Sequence, residues 1–140
     1  MSTPKSDELT DPPGGPGAVP PGLRVLDASA LLTLLFEEPG ATVVAAVIAE
    51  GAAVSSVNLS EVAAVLVRHQ RDVAGILRAV TAQIRVEPFT TADALAAATL
   101  WGPTRATGLS LGDRACLALA QRLGVPAVTA DREWSTVNIG

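Results

Sequence analysis

Four carboxylates in this 140-residue sequence stand where they could do chemistry together. Asp27 follows the run Arg24-Val25-Leu26, and Asp131 follows Val128-Thr129-Ala130. Glu61 stands at the opening of a helical segment in Asn58-Leu59-Ser60-Glu61, as Asp113 does in Ser110-Leu111-Gly112-Asp113. Each alone has an ordinary explanation. Asn58/Glu61 and Ser110/Asp113 match the capping box, in which an acid at the third helical position pairs with the N-cap backbone. Thr90/Asp93 matches it equally and is assigned no chemistry. Asp27 and Asp131 would serve as turn formers or helix caps after their strands. Gathered in one pocket, however, the four would repel by about 4 kcal/mol per close pair at an intermediate dielectric. They stay ionised together only around a cation; otherwise some take up protons. Oxygen donors without nitrogen or sulfur point to Mg²⁺, with Mn²⁺ able to substitute. Such an ion keeps waters and clamps phosphoryl oxygens, so metal-assisted phosphodiester hydrolysis is the expected reaction class.

The elements that must position these acids are legible as alternating short apolar runs and longer helical ones. Strands are expected at Leu23–Leu26, Ala53–Val57, Ile84–Pro88 and Ala127–Ala130, with a short fifth at Val137–Ile139. Helices are expected over Ser29–Phe36, Thr42–Ala49 (stopped by Gly51), Leu59–His69, Val73–Gln83, Thr91–Trp101 (broken by Gly102-Pro103) and Leu111–Leu123. Strands of this length between helices form βαβ units and a mainly parallel sheet covered on both faces. Ligands of such sheets bind beyond the strand carboxyl ends, at the point where strand order reverses. All four acids fall on that edge.

The segments VLDASALL, SSVNLSEV, LSLGDRACLALA and AVTADREW resemble, in order and spacing, the four acidic motifs of PIN domains, specifically those of VapC-type toxins from bacterial toxin–antitoxin pairs. The likeness runs over about residues 23–139. It implies a three-layer α/β/α sandwich whose mainly parallel five-stranded sheet has the order 3-2-1-4-5. Strands one and four then lie side by side, with Asp27 facing Asp131 and Asp113 alongside. The resemblance further implies that Asp27, Glu61, Asp113 and Asp131 hold Mg²⁺, directly or through water. Ser29 and Thr129 match small hydroxyl positions that orient those ligands. The implied activity is a Mg²⁺-dependent endoribonuclease that uses a metal-activated water and leaves a 5′-phosphate and a 3′-hydroxyl. A cognate VapB-type antitoxin and a homodimer are the implied partners. A catalytically silent PIN-like interaction module is the alternative. A phospho-accepting receiver domain would need a lysine near the last strands, and the lone lysine here is Lys5.

Composition limits the remaining possibilities. Residues 1–22 hold six of the ten prolines and four of the twelve glycines, and are expected to be a disordered tail ahead of a domain at 23–140. With no Tyr, two Phe and two Trp, the core must be aliphatic. One cysteine, Cys116, cannot make an internal disulfide; it is expected to pack, and cytoplasm is the expected compartment. No apolar run reaches the length of a membrane span. The net charge of −4 at first argues against nucleic acid. Its distribution reverses that. Beyond residue 22, nine arginines face eleven acids, and setting aside the four candidate ligands leaves an excess of two positive charges. Arg114 and Arg132, each next to a candidate ligand, could reach a substrate phosphate or pair with neighbouring acids. Arg68-His69-Gln70-Arg71, with Arg78 and Arg85, could grip RNA backbone or be a solvated face; His69 is read as exposed and not as a general base. Trp134 is read as packing. The stretches Leu31–Phe36 and Val43–Ile48 are apolar nearly all round, which suits a partner surface or burial within the monomer; the VapC-type resemblance implies that this region forms the antitoxin groove and contributes to dimer contacts.

Overall fold

A computed structural model describes residues 19–130, so Asp131, Arg132, Trp134 and the fifth strand lie outside the described residues, as does most of the expected tail. In chain order the elements are β1 (Arg24–Leu26), α1 (Ala28–Leu35), α2 (Ala41–Glu50), β2 (Ala52–Ser55), α3 (Ser56–Arg68), α4 (Val73–Gln83), β3 (Arg85–Glu87), α5 (Thr91–Thr104), a 3₁₀ turn (Arg105–Thr107), α6 (Leu111–Leu123) and β4 (Ala127–Val128). The strands pair in parallel in the order β3-β2-β1-β4, as expected for the first four. Leu26 stands beside Val54 on one side and Val128 on the other, which puts the next residue of β1, Asp27, at the strand carboxyl edge.

Alternation along the strands divides the core into two layers. Leu26, Ala52 and Val54 face α1–α4 and meet Leu31, Val44, Val62, Leu66 and Val80. Leu23, Val25 and Ala53 face the other way onto Cys116, Leu119 and Ala120 of α6. Helix α5 then packs on α6 through Ala97, Leu100, Leu117 and Ala118. Helices thus cover both faces of a parallel sheet, giving three layers.

Two expected helix boundaries shift for identifiable reasons. Helix α3 begins at Ser56, not Leu59, because Ser55 is its N-cap and accepts the Val57 N–H at 3.1 Å. Asn58/Glu61 is therefore no capping box; both residues sit inside the helix. Gly102-Pro103 does not break α5, which continues to Thr104 before the 3₁₀ turn. A proline in the last turn removes one backbone donor where the helix is ending anyway.

The capping boxes at Thr90/Asp93 and Ser110/Asp113 both form. Asp93 also accepts two bonds from Arg122 of α6, Nε at 2.9 Å and Nη2 at 3.1 Å, which ties the two outer helices together. Its burial would raise its pKa, but the hydrogen bonds from Arg122 and the Thr90 N–H outweigh that and hold it below the usual carboxylate range. No helix among the described residues is long and apolar enough to cross a membrane.

Candidate active site

Asp27 is 2% exposed, directly past β1, and it caps α1 by accepting the Ala30 N–H at 2.8 Å. The Ser29 hydroxyl lies 2.8 Å from Oδ1 and 3.0 Å from Oδ2. From the end of β4, Thr129 donates to Oδ2 at 2.5 Å. Ser29 in turn accepts the Ala130 N–H at 3.0 Å, so β4 is fastened to the start of α1 immediately before position 131. These bonds fix the Asp27 carboxylate at both oxygens. Burial pushes its pKa up; the three hydrogen-bonding partners pull the other way, and the Asp113 charge adds to the rise. A buried carboxylate facing a second acid is stabilised by a proton or a cation.

Glu61 reaches the same cleft from the second turn of α3. Its Oε1 accepts from Asn58 Nδ2 at 2.9 Å, and the same amide donates to the Gly112 carbonyl at 2.9 Å. Asn58 is fully buried and its orientation is set by these two acceptors, because a flipped amide would turn its oxygen toward both. The Glu61 carboxylate lies so close to Gly112 that a Cβ at position 112 would collide with both its oxygens. A glycine in the first turn of α6 is what leaves room for the Glu61 carboxylate here. The Asn58/Glu61 spacing matches a cap and Gly112 stands in no motif, so neither role is legible along the chain.

Asp27, Ser29, Glu61, Arg68 and Asp113 line one open cleft of about 400 Å³ between α1, α3 and the start of α6. Three of the four candidate acids are brought together there, and Asp131 is outside the described residues. Among the described residues no three His, Cys, Asp or Glu side chains draw close enough to form a metal-binding group by themselves. The room and the oxygen-only donors suit a hydrated hard cation, which holds few protein ligands and several waters.

The basic residues divide. Arg68 lines the cleft. Arg114 does not: its Nη1 donates to the Ala97 carbonyl of α5 at 2.9 Å, and its Nε is buried. Arg85 pairs with Glu87 at 2.6 Å. His69 is exposed, as expected, and its ring lies beside Phe36 with centroids 5.2 Å apart. Cys116 lies fully buried in the core beneath the cleft; burial first, then the charges of Asp27, Asp113 and Glu61, push its thiol well above the usual range.

An α/β/α sandwich with acids at the carboxyl edge defines a class, and the family follows from comparison. The PIN domain profile matches residues 24–139, and the chain belongs to the PIN domain family. Its fold is similar to the toxin–antitoxin complex from Klebsiella pneumoniae (TM-score 0.64, 18% identity, covering 81% of this chain and 91% of that one). It is similar to VapC20 of Mycobacterium tuberculosis, a sarcin–ricin loop cleaving toxin (TM-score 0.65, 18% identity, 81% and 92%). It is also similar to VapBC2 of Rickettsia felis, solved on a DNA fragment from its promoter (TM-score 0.65, 14% identity, 82% and 92%). Compared with curated protein sequences, the chain matches none.

Proposed function

We propose that this PIN-domain protein is a Mg²⁺-dependent endoribonuclease acting as the toxin of a toxin–antitoxin pair in the cytoplasm. The observation that carries the reading is the shared cleft of Asp27, Glu61 and Asp113 at the carboxyl edge of the sheet. The fold likeness to a toxin described as cleaving the sarcin–ricin loop supports RNA as the substrate. Asp27, Glu61 and Asp113, with Asp131, would hold the ion. When bound, it supplies a water of lowered pKa and positive charge for the phosphoryl oxygens. Ser29 and Thr129 keep the Asp27 lone pairs aimed, Asn58 holds Glu61, and Arg68 binds substrate phosphate on the cleft wall. Arg132 is proposed for the same task. An apolar cavity of about 220 Å³ between α1, α2 and α4, lined by Leu31, Leu35, Ile48, Ile76 and Ile84, would take the VapB-type antitoxin, and the toxin would work as a homodimer.

The test is cleavage of purified RNA with Mg²⁺ or Mn²⁺, with and without chelator, by wild type, Asp27→Asn and Asp113→Asn. Cutting is expected from wild type alone and to stop on chelation, with circular dichroism unchanged in both variants. Equal cutting by the variants overturns the assignment. A catalytically silent PIN-like interaction module is the alternative reading. Calorimetric titration with Mn²⁺ separates the two, since the silent module takes up no ion.

A further inference from the structure

The acid cleft does not end at Arg68. A second cavity of about 340 Å³ opens beside it along the groove between α1 and α3, sharing Ser29, Leu32 and Val65 as a common wall and continuing to Phe36, Glu38 and His69. We infer that this cavity is a nucleobase subsite, in which the base flanking the scissile phosphate lies against His69 and Phe36 and is read by Glu38. The inference rests on the ribonuclease reading for its place in the reaction, not for the binding itself.

Three observations carry it. The first is the aromatic wall: the His69 ring lies 5.2 Å from Phe36 at 59°, while the Arg71 guanidinium stands 4.8 Å from the Phe36 centroid. Flat π faces beside cations suit a base and its phosphate. In a chain with so few aromatic residues, this pairing at the rim of the cleft is a built feature and not background.

The second is how the wall is held. Helices α1 and α3 both end here, and the residue after each end-cap, Glu37 and Gln70, has φ +55°. Among the described residues these are the two non-glycine positions with left-handed backbone. Each reverses the chain: the Glu38 N–H returns to the Thr33 carbonyl at 2.9 Å, and the Arg71 N–H to the Leu66 carbonyl at 3.0 Å. The reversals bring Glu38 into the cavity lining and Arg71 over Phe36.

The third is charge. Arg68, His69 and Arg71 follow one another along the groove and could neutralise backbone phosphates as the strand passes from the cleft into the cavity. Among the described residues Glu38 is the carboxylate in the cavity lining. A carboxylate accepts two N–H donors side by side, which guanine presents at N1 and N2 and uracil does not. Guanine is therefore the expected base.

His69 is the chain's lone histidine, so its imidazole Cε1–H is a single assignable proton signal in untagged protein. Titration of the full chain with guanosine monophosphate, without metal, should move that signal upfield through ring-current shielding, with uridine monophosphate moving it far less. Glu38→Gln should erase the difference between the two nucleotides. No movement with either nucleotide, or equal movement with both, overturns the inference. In parallel, a randomised RNA pool is cut by wild type, His69→Ala and Glu38→Gln, and the 5′ ends are sequenced. His69→Ala should lower cutting about tenfold, the scale of one lost base stack. Glu38→Gln should flatten the guanine preference next to the cut. Variant profiles identical to wild type overturn the subsite while leaving the ribonuclease standing. A wild type that cuts nothing yet shows the guanosine-dependent shift refutes the ribonuclease and keeps the subsite.

Discussion

At the scale of single residues, the site depends on contacts a few ångströms wide. Asp27 was recognisable from sequence because a lone acid between a β-run and a helix is a local pattern. Thr129, 102 positions away, is expected beside it from the PIN resemblance, whereas Gly112, 54 positions from Asn58, carries no such signal. Gly112 tests how tight the approach is. Gly112→Ala places a methyl group against the Glu61 carboxylate, which must swing away from Asn58. The carboxylate is the far end of a flexible side chain and moves at little cost, and alanine is the better helix former, so fold stability is expected to hold while Mn²⁺ binding weakens. Chemical denaturation and calorimetry on the same sample read both, and an alanine variant with unchanged Mn²⁺ affinity would show that the position of Glu61 does not matter for the ion.

At the scale of elements, the ends of helices matter more than their middles. Ser55, not Asn58, starts α3, so Glu61 points into the cleft from the second turn and no longer spends its carboxylate on a cap. Asp113 takes part in the α6 capping box with Ser110 and lines the cleft as well, so capping does not take it out of the cleft. Thr90/Asp93 shows the same box without the cleft. There Arg122 takes the second role, and the sign of its pH effect follows. Asp93 has a lowered pKa in the fold, so its contribution to stability is present above the unfolded value near 3.8 and is lost as pH falls through the lower folded value. Thermal melts taken downward from neutral pH should show Asp93→Asn losing stability at neutral pH and converging with wild type in strong acid. Parallel curves for the two proteins would mean that Asp93 and Arg122 contribute nothing net.

At the scale of the whole molecule, the chain is an aliphatic sandwich that gathers Asp27, Glu61 and Asp113 at one edge. If that edge binds an ion in the folded state alone, the ion stabilises the fold. At a hundred times its dissociation constant, Mn²⁺ should add about 2.7 kcal/mol to wild type and nothing to Asp27→Asn. A melt series with rising Mn²⁺ measures this, and equal stabilisation of both proteins would place the ion elsewhere. The sequence by itself determined the order of strands and helices, the acids at their junctions and the PIN resemblance. Those features are written in local periodicity and in motifs a few residues long. It misplaced the start of α3 and the end of α5, because capping by Ser55 and tolerance of Pro103 depend on where a helix is anchored and ends. Only the tertiary structure decided that Asn58 and Gly112 hold Glu61, that Arg114 serves α5, and that His69 meets Phe36 beside the acid cleft. Packing between distant segments sets those contacts, and it leaves no periodic trace along the chain.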